Sequence, residues 1–394
     1  MNSRRAAAFA VARWIATHGR MESTAADGPD AAFVQDLSYV TVRRFRALRS
    51  VLGKLLSKWP KGEMEALLLV GAAQILYMPE VPDFAAVNET VDAAKGCPNK
   101  SIAKVVNAVL RNLIRRRAEF EEYLAGAPLA ERESYPNGLV ARWIARYGMD
   151  GAERMCKWHN APADVWLAYP PGSAEEFVKL GHGRRVKDVE GYAEGAFIVQ
   201  DPATACAVKL LDVSPGQSVL DFCAAPGGKT VQAAWRLVGP GRGSRLVAQE
   251  VNAARRGVLE ENLKRLGLDW VETVGCIEDV RGSGKERFDR VLADVPCSNT
   301  GVLRRRPDAR WRWSEDRLRE LAALQSGILE AAAGRVDAGG LLVYSTCSNE
   351  PEENGGRIGE FLASHPEFEE TGRMESVPFR DGCDGAFACA LRRR

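Results

Sequence analysis

Apolar residues recur at intervals of three and four through the first 125 residues. "VQDLSYVTVRRFRALRSVLGKLL", "EMEALLLVGAAQILYM" and "KSIAKVVNAVLRNLIRRR" each keep this helical period, the last with a basic end, and Pro79 and Pro82 interrupt it. The spacing predicts an all-helical bundle over 1–125. Residues 126–204 mix the helical "NGLVARWIARYGMDGAERMCKWHN" with short strand-like pieces, "DVWLAYP" and "GAFIVQ", and predict a small α+β connector. From 205 to 394 the pattern changes again. Apolar runs ("SVLDFC", "SRLVAQE", "FDRVLADVP", "GLLVYSTC") alternate with helices starting at Lys229 and spanning 252–266 and 315–334, which predicts a parallel, doubly wound sheet. The fold class expected is therefore multidomain, α followed by α/β.

Ligands of such sheets bind at the carboxyl ends of the strands, and the chemically distinctive residues lie there. The first strand ends at Asp221 and turns through "CAAPGGKT", residues 223–230, where Gly227 and Gly228 permit close backbone approach at a helix start. The second ends at Glu250, about twenty residues on, where a carboxylate can accept from ribose hydroxyls. "CAAPGGKT" is one residue from a Walker A loop, but Cys223 stands where the first glycine must be, and its Cβ obstructs the phosphate-wrapping turn. "GPGRG" at 239–243 follows a helix and reads as a loop. S-adenosylmethionine, which has no phosphates, suits the turn and the acid better than a nucleotide.

Two cysteines close two further strands: Cys297 after Asp294 and Pro296, and Cys347 after "LLVYST". Each taken alone fits a small buried residue equally well. Together with Asp294 and the cofactor turn they suggest a reaction. Carbon 5 of a pyrimidine becomes nucleophilic once a thiolate adds at carbon 6, and an acid at the base's Watson–Crick edge relieves the charge that builds there.

Composition narrows the field. With 46% hydrophobic and 27% charged residues over 394 positions, the chain should be folded, and no apolar run is long enough for a membrane span or a signal peptide, so a cytoplasmic location is expected. Nine cysteines without a CxxC pair argue for reduced thiols, and four scattered histidines (His18, His159, His182, His365) support neither a metal site nor a His-based triad. The net charge of +2 hides clusters at 111–117 and in "GVLRRRPDARWRW". The second cluster reads either as a solvated loop or as an RNA surface over the site, with Arg304, Arg305, Arg306 and Arg310 facing phosphates and Trp311 and Trp313 stacking on bases.

"LDFCAAPGGKT", "DVPCSNTGVLRRRPDARW" and "YSTCSNEPEEN" resemble the motifs of the bacterial RNA (cytosine-5)-methyltransferases. "MEALLLVGAAQILYMPEVPDFAAVNETVDAAK" and "VVNAVLRN" are similar to that family's N-terminal domain, which is related to NusB and binds RNA, and "FIVQDPATACAV" resembles the lead into its catalytic domain. The resemblance implies a NusB-like bundle, a connector and a Rossmann-like methyltransferase domain, with S-adenosylmethionine as cofactor, ribosomal small-subunit RNA as partner and a monomeric, metal-free enzyme. It makes Cys347 the nucleophile and Cys297 the thiol that assists adduct breakdown, while Asp294 contacts the cytosine and borders the cofactor. Lys229 faces the site unless it merely caps its helix. Cys223, Ala224, Ala225, Pro226, Gly227, Gly228 and Lys229 wrap the cofactor's methionine end, and Glu250 holds the ribose where the family usually has Asp. Arg255 is read as structural.

Three departures stand out. Cys276 falls where the family has an acid for the adenine amine, with Asp279 as the candidate substitute. The connector lacks an Arg-x-Asn pattern. Val295 and Asn299 replace smaller residues beside Cys297. An RNA-binding assembly or antitermination factor with an inert catalytic domain is the alternative, and a DNA methyltransferase would leave Cys347 without a task.

Overall fold

The structure is a computed structural model that describes residues 2–21, 30–99, 101–181, 184–239, 243–279 and 286–394, the side chain of Asp279 excepted. His182 and the centre of "GPGRG", 240–242, lie outside the described residues. The chain divides into two compact units, Met1–Ala161 with Leu303–Ser314, and Pro162–Val302 with Glu315–Arg394.

In the first unit the helix Glu63–Tyr77 has an unbroken run of buried residues from Glu65 to Ile75, as a sequence apolar on every side requires. Helices Ser3–Thr17, Ala31–Arg43, Phe45–Gly53, Asp83–Lys95 and Ser101–Arg115 pack on it or on one another. The single periodic run 34–56 is in fact two helices, because Arg44 leaves helical geometry with φ −102° and ψ 12°. The helix Asn137–Asn160, broken at Gly148 by a φ of +72°, also belongs here. Asn160 Nδ2 donates to the Glu133 carbonyl at 2.9 Å, and the Tyr135 hydroxyl donates to the Cys156 carbonyl at 3.2 Å. The stretch 126–204 is thus divided: its helices join the bundle, and its strands join the second unit.

The segment 303–314 corrects an expectation. Arg310 is fully buried within the helical unit and stacks 4.0 Å over the Tyr135 ring. Its Nη1 donates to the carbonyls of Arg43 and Ser134 and to Asn160 Oδ1, and its Nη2 to the His159 carbonyl. Arg304 is buried over Trp158, Trp311 Nε1 donates to the Val42 carbonyl at 2.8 Å, and Trp313 covers Gly138. Asp308, itself buried, pairs with Arg306 and Arg312. Arg304 and Arg310 therefore do not face phosphates, and Trp311 and Trp313 are engaged in packing. A local charge count cannot see that carbonyls and aromatic faces elsewhere in the bundle absorb the cations.

The second unit carries two sheets. Strands β1 (Val165–Ala168), β2 (Phe177–Leu180) and β3 (Ile198–Val199) form a small antiparallel one in the order β2-β1-β3. The large one contains β4 (Ser218–Asp221), β5 (Arg245–Gln249), β6 (Glu272–Val274), β7 (Phe288–Asp294), β8 (Val336–Thr346), β9 (Phe368–Ser376) and β10 (Ala386–Arg393), ordered β6-β5-β4-β7-β8-β10-β9. The first five run parallel, and β10 is antiparallel to both β8 and β9. Helices Gly228–Leu237, Ala253–Arg265 and Glu315–Ala333 follow β4, β5 and β7. The order reverses between β4 and β7, and a crevice opens at such a reversal, at the strands' carboxyl ends.

Candidate active site

The expected catalytic and cofactor-binding residues, 223–229, Glu250, Cys276, Asp294, Cys297 and Cys347, lie at or just past the ends of β4, β5, β6, β7 and β8 at that edge of the second unit. After β4 the chain turns through Cys223–Gly227, with the Ala225–Pro226 peptide cis, and Gly227 takes a φ of +107° to start the next helix. That φ favours glycine, and a side chain there would in addition have to displace the tip of Leu259, 2.7 Å from its Cβ. The helix after β5 braces this turn, because Arg255 Nη2 donates to the Ala225 carbonyl at 2.6 Å and Asn262 Nδ2 to the Pro226 carbonyl at 2.9 Å. Arg255 also sits 3.2 Å from Glu250 Oε2. A residue set aside as structural therefore connects the ribose candidate to the cofactor turn, an arrangement visible only once the helix is folded back.

Glu250 is buried; its Oε1 accepts from the Asn252 amide at 3.0 Å, and its Oε2 accepts no hydrogen bond. Lys229 is directed at Asp294, with Nζ 2.8 Å from Oδ2, and the Ser345 hydroxyl donates to Asp294 Oδ1 at 2.7 Å. Burial pulls the Lys229 pKa down, but the Asp294 carboxylate outweighs it and leaves it above its ordinary value. Beneath them Asp221, 1% exposed, accepts from Thr230 Oγ1 at 2.6 Å, and burial pushes its carboxyl up to about 7. Burial likewise pushes the Cys223 thiol up to about 12, so it is a neutral part of the turn.

These residues fit an adenosyl sulfonium better than a nucleotide. The turn's lysine is committed to Asp294 instead of a phosphate, and Glu250 Oε2, which faces Arg255 but accepts no hydrogen bond, can accept from a ribose hydroxyl. Cys276 is exposed beyond β6, and its thiol donates to the Glu278 carboxylate. Glu278 is thus the acid the structure places on Cys276; the side chain of Asp279 lies outside the described residues.

The two thiols meet. β7 and β8 are paired with Asp294 opposite Ser345, and the chains leaving them bring Cys297 Sγ to 3.3 Å from Cys347 Sγ. Asn299, with a φ of +62°, donates Nδ2 to the Cys297 carbonyl at 2.8 Å and accepts the Cys347 thiol on Oδ1 at 3.3 Å. The Asn299 side chain, which a smaller residue would lack, therefore ties one loop to the other. Gly301 donates its amide to the Cys347 carbonyl at 3.0 Å, and a Cβ there would sit 2.5 Å from the Gly385 carbonyl. The hydrogen bond to Cys347, then burial, raise the Cys297 thiol well above its ordinary pKa. Cys297 is buried and Cys347 half-buried, so Cys347 is the more accessible of the pair.

Comparison with known proteins agrees with both units. Residues 208–383 match the model of the 16S rRNA methyltransferase RsmB/F family, and residues 1–115 match the NusB family. The chain is 32% identical to ribosomal RNA small subunit methyltransferase B of Erwinia tasmaniensis, across 92% of this chain and 90% of that protein. It is 30% identical to the probable ribosomal RNA small subunit methyltransferase B of Bacillus subtilis, across 91% and 90%. Among solved structures, that of PH0851 superposes with a TM-score of 0.79 at 21% identity, covering 100% of this chain and 99% of that one. A methyltransferase homologue from Pyrococcus horikoshii gives 0.57 at 22% identity, over 68% and 98%.

Proposed function

Because this chain belongs to the ribosomal RNA small subunit methyltransferase B family, whose members are S-adenosylmethionine-dependent enzymes of ribosomal RNA, we propose that it methylates carbon 5 of a cytosine in 16S RNA through a covalent adduct on Cys347. The observation that carries this reading is the pair of thiols 3.3 Å apart beside the Lys229–Asp294 ion pair.

Cys347, as thiolate, forms a bond to carbon 6, and the displaced electron pair makes carbon 5 enamine-like. Asp294, held by Lys229 and Ser345, accepts from the exocyclic amine, and the Lys229 ammonium beside it offsets the negative charge that the displaced electron pair brings to the ring. When bound, S-adenosylmethionine supplies the electrophilic methyl group that carbon 5 takes. Glu250 holds the ribose, residues 223–229 surround the methionine end, and Cys276 borders the adenine. Water takes the proton from carbon 5, the C5–H electron pair re-forms C5=C6, and the S–C6 bond breaks. Cys297, which keeps its proton at neutral pH, is placed to protonate the departing Cys347 sulfur. The target base must be unpaired or flipped out for carbon 6 to reach a half-buried thiol.

The test is incubation with labelled S-adenosylmethionine and unmodified 16S RNA, with analysis of the product nucleoside. We expect 5-methylcytidine, no product and no adduct from Cys347→Ala, and a covalent protein–RNA complex on denaturing gels from Cys297→Ala. RNA trapped by Cys347→Ala would reverse the two roles, and a methyl group found elsewhere on the nucleoside would end the proposal.

A further inference from the structure

β8 is followed by Cys347 and "SNEPEEN", residues 348–354, in which both Glu350 and Glu353 are buried, and the Glu353 carboxylate collects donors from both thiol loops. Its Oε1 accepts from the Ser298 amide at 2.8 Å and from Gln325 Nε2 at 2.9 Å. Its Oε2 accepts from the hydroxyls of Ser298 and Ser348. Ser298 follows Cys297 and Ser348 follows Cys347, so a single carboxylate grips the residue next to each thiol. Its own position is held in turn. The Tyr344 hydroxyl donates to the Glu353 carbonyl at 2.7 Å, and Gln325 Nε2 also reaches the Pro296 carbonyl at 3.0 Å.

The parallel strand pairing runs to Asp294 and Ser345 and is extended by the Val295 amide on the Ser345 carbonyl at 3.0 Å; past it the only backbone–backbone tie between the described residues of the two thiol loops is the Gly301 amide on the Cys347 carbonyl, so side chains carry the rest. Asn299 ties the loops on the thiol side, and Glu353 ties them on the other. A buried carboxylate with four donors is costly to distort, because each freed donor would be left without water. We propose that Glu353 is the positioning residue that fixes the separation of the Cys297 and Cys347 thiols, and that this separation sets how fast the covalent RNA adduct breaks down. The second half rests on the covalent reading above; the first does not.

Thiol separation can be read without RNA or cofactor. The protein is treated with the oxidant diamide, which takes two electrons and two protons as two thiols join, and Cys297–Cys347 disulfide is timed by peptide mapping. Glu353→Ala should slow closure at least tenfold. Glu353→Gln should fall between, because an amide keeps one accepting edge. In turnover, Glu353→Ala should lower kcat at least tenfold and accumulate covalent RNA complex, with the S-adenosylmethionine Kd within twofold of wild type. Unchanged closure, or a loss of cofactor affinity with closure intact, would overturn the assignment. Should Glu353→Ala fail to fold, the pair Ser298→Ala, Ser348→Ala removes two of the four donors and is held to the same criterion with a threefold slowing. Wild-type enzyme that made no 5-methylcytidine while Glu353→Ala slowed closure would sink the covalent reading and leave the clamp in place.

Discussion

Asp221 should make this enzyme lose stability as the solution turns from acid to neutral. Its carboxyl is 1% exposed, accepts the Thr230 hydroxyl on one oxygen, and has only the weaker approach of the Cys223 backbone besides. Burial, reinforced by the nearby Asp294 charge, lifts it from 3.8 to about 7, against the opposing pull of Thr230 and Lys229. The folded state thus binds this proton more tightly than the unfolded chain does. Stability from this group is complete below about pH 4 and is lost as pH rises towards 7, with no further change above that. At about 1.4 kcal/mol per unit, the shift amounts to a loss of up to about 4 kcal/mol. Asp221→Asn keeps the shape and can still accept from Thr230, but never ionises. Urea unfolding of both proteins between pH 4 and 8.5, followed by hydrogen exchange of the β4 amides, should show the variant gaining on wild type by a few kcal/mol across that interval. Parallel pH profiles for the two proteins would refute the reasoning, as would a carboxyl carbon resonance for Asp221 that titrates near pH 4.

Arg310→Ala should strip donors from three carbonyls and Asn160 Oδ1 and destabilise the helical unit by about 3 kcal/mol, seen as a lower melting temperature. The salt dependence of RNA binding should not change, and a flattened slope would mean that Arg310 does meet phosphates. Cys276→Asp should tighten S-adenosylmethionine by about tenfold, roughly 1.4 kcal/mol, as a carboxylate replaces a weak acceptor; calorimetry that finds the same Kd would remove Cys276 from the adenine position.

The strand-end residues were legible because their position follows from pattern alone. An apolar run that stops at Asp221, Gln249, Asp294 or Thr346 in an alternating α/β series must point its next residues at one edge of one sheet. What was not legible depends on partners remote in sequence. Glu353 meets Ser298 across 55 positions, and nothing local distinguishes it from Glu350 or Glu352. Arg310 looks like part of a solvated basic run until His159, Asn160 and Ser134 are folded around it. Arg255 stands one turn beyond Glu250, an ordinary place for a surface cation, yet its reach back to the Ala225 carbonyl depends on the tilt of its helix.

The run from Cys297 to Arg310 shows how one stretch of chain serves two units without sharing their constraints. Up to Val302 it belongs to the sheet unit, and from Leu303 it belongs to the helical one. Gly301 lies just before the crossing and is held on both sides of its peptide: its amide donates to the Cys347 carbonyl, and its carbonyl accepts from the Gly385 amide at 2.8 Å. The Thr300 hydroxyl accepts from the Asn349 amide at 3.0 Å and lies 3.1 Å from the Ser348 hydroxyl. Four consecutive residues, Ser298 to Gly301, are therefore fastened within the sheet unit before the chain enters the bundle. Substitutions at Arg310 and at Glu353 should therefore separate cleanly, one into the stability of the helical unit and the other into turnover.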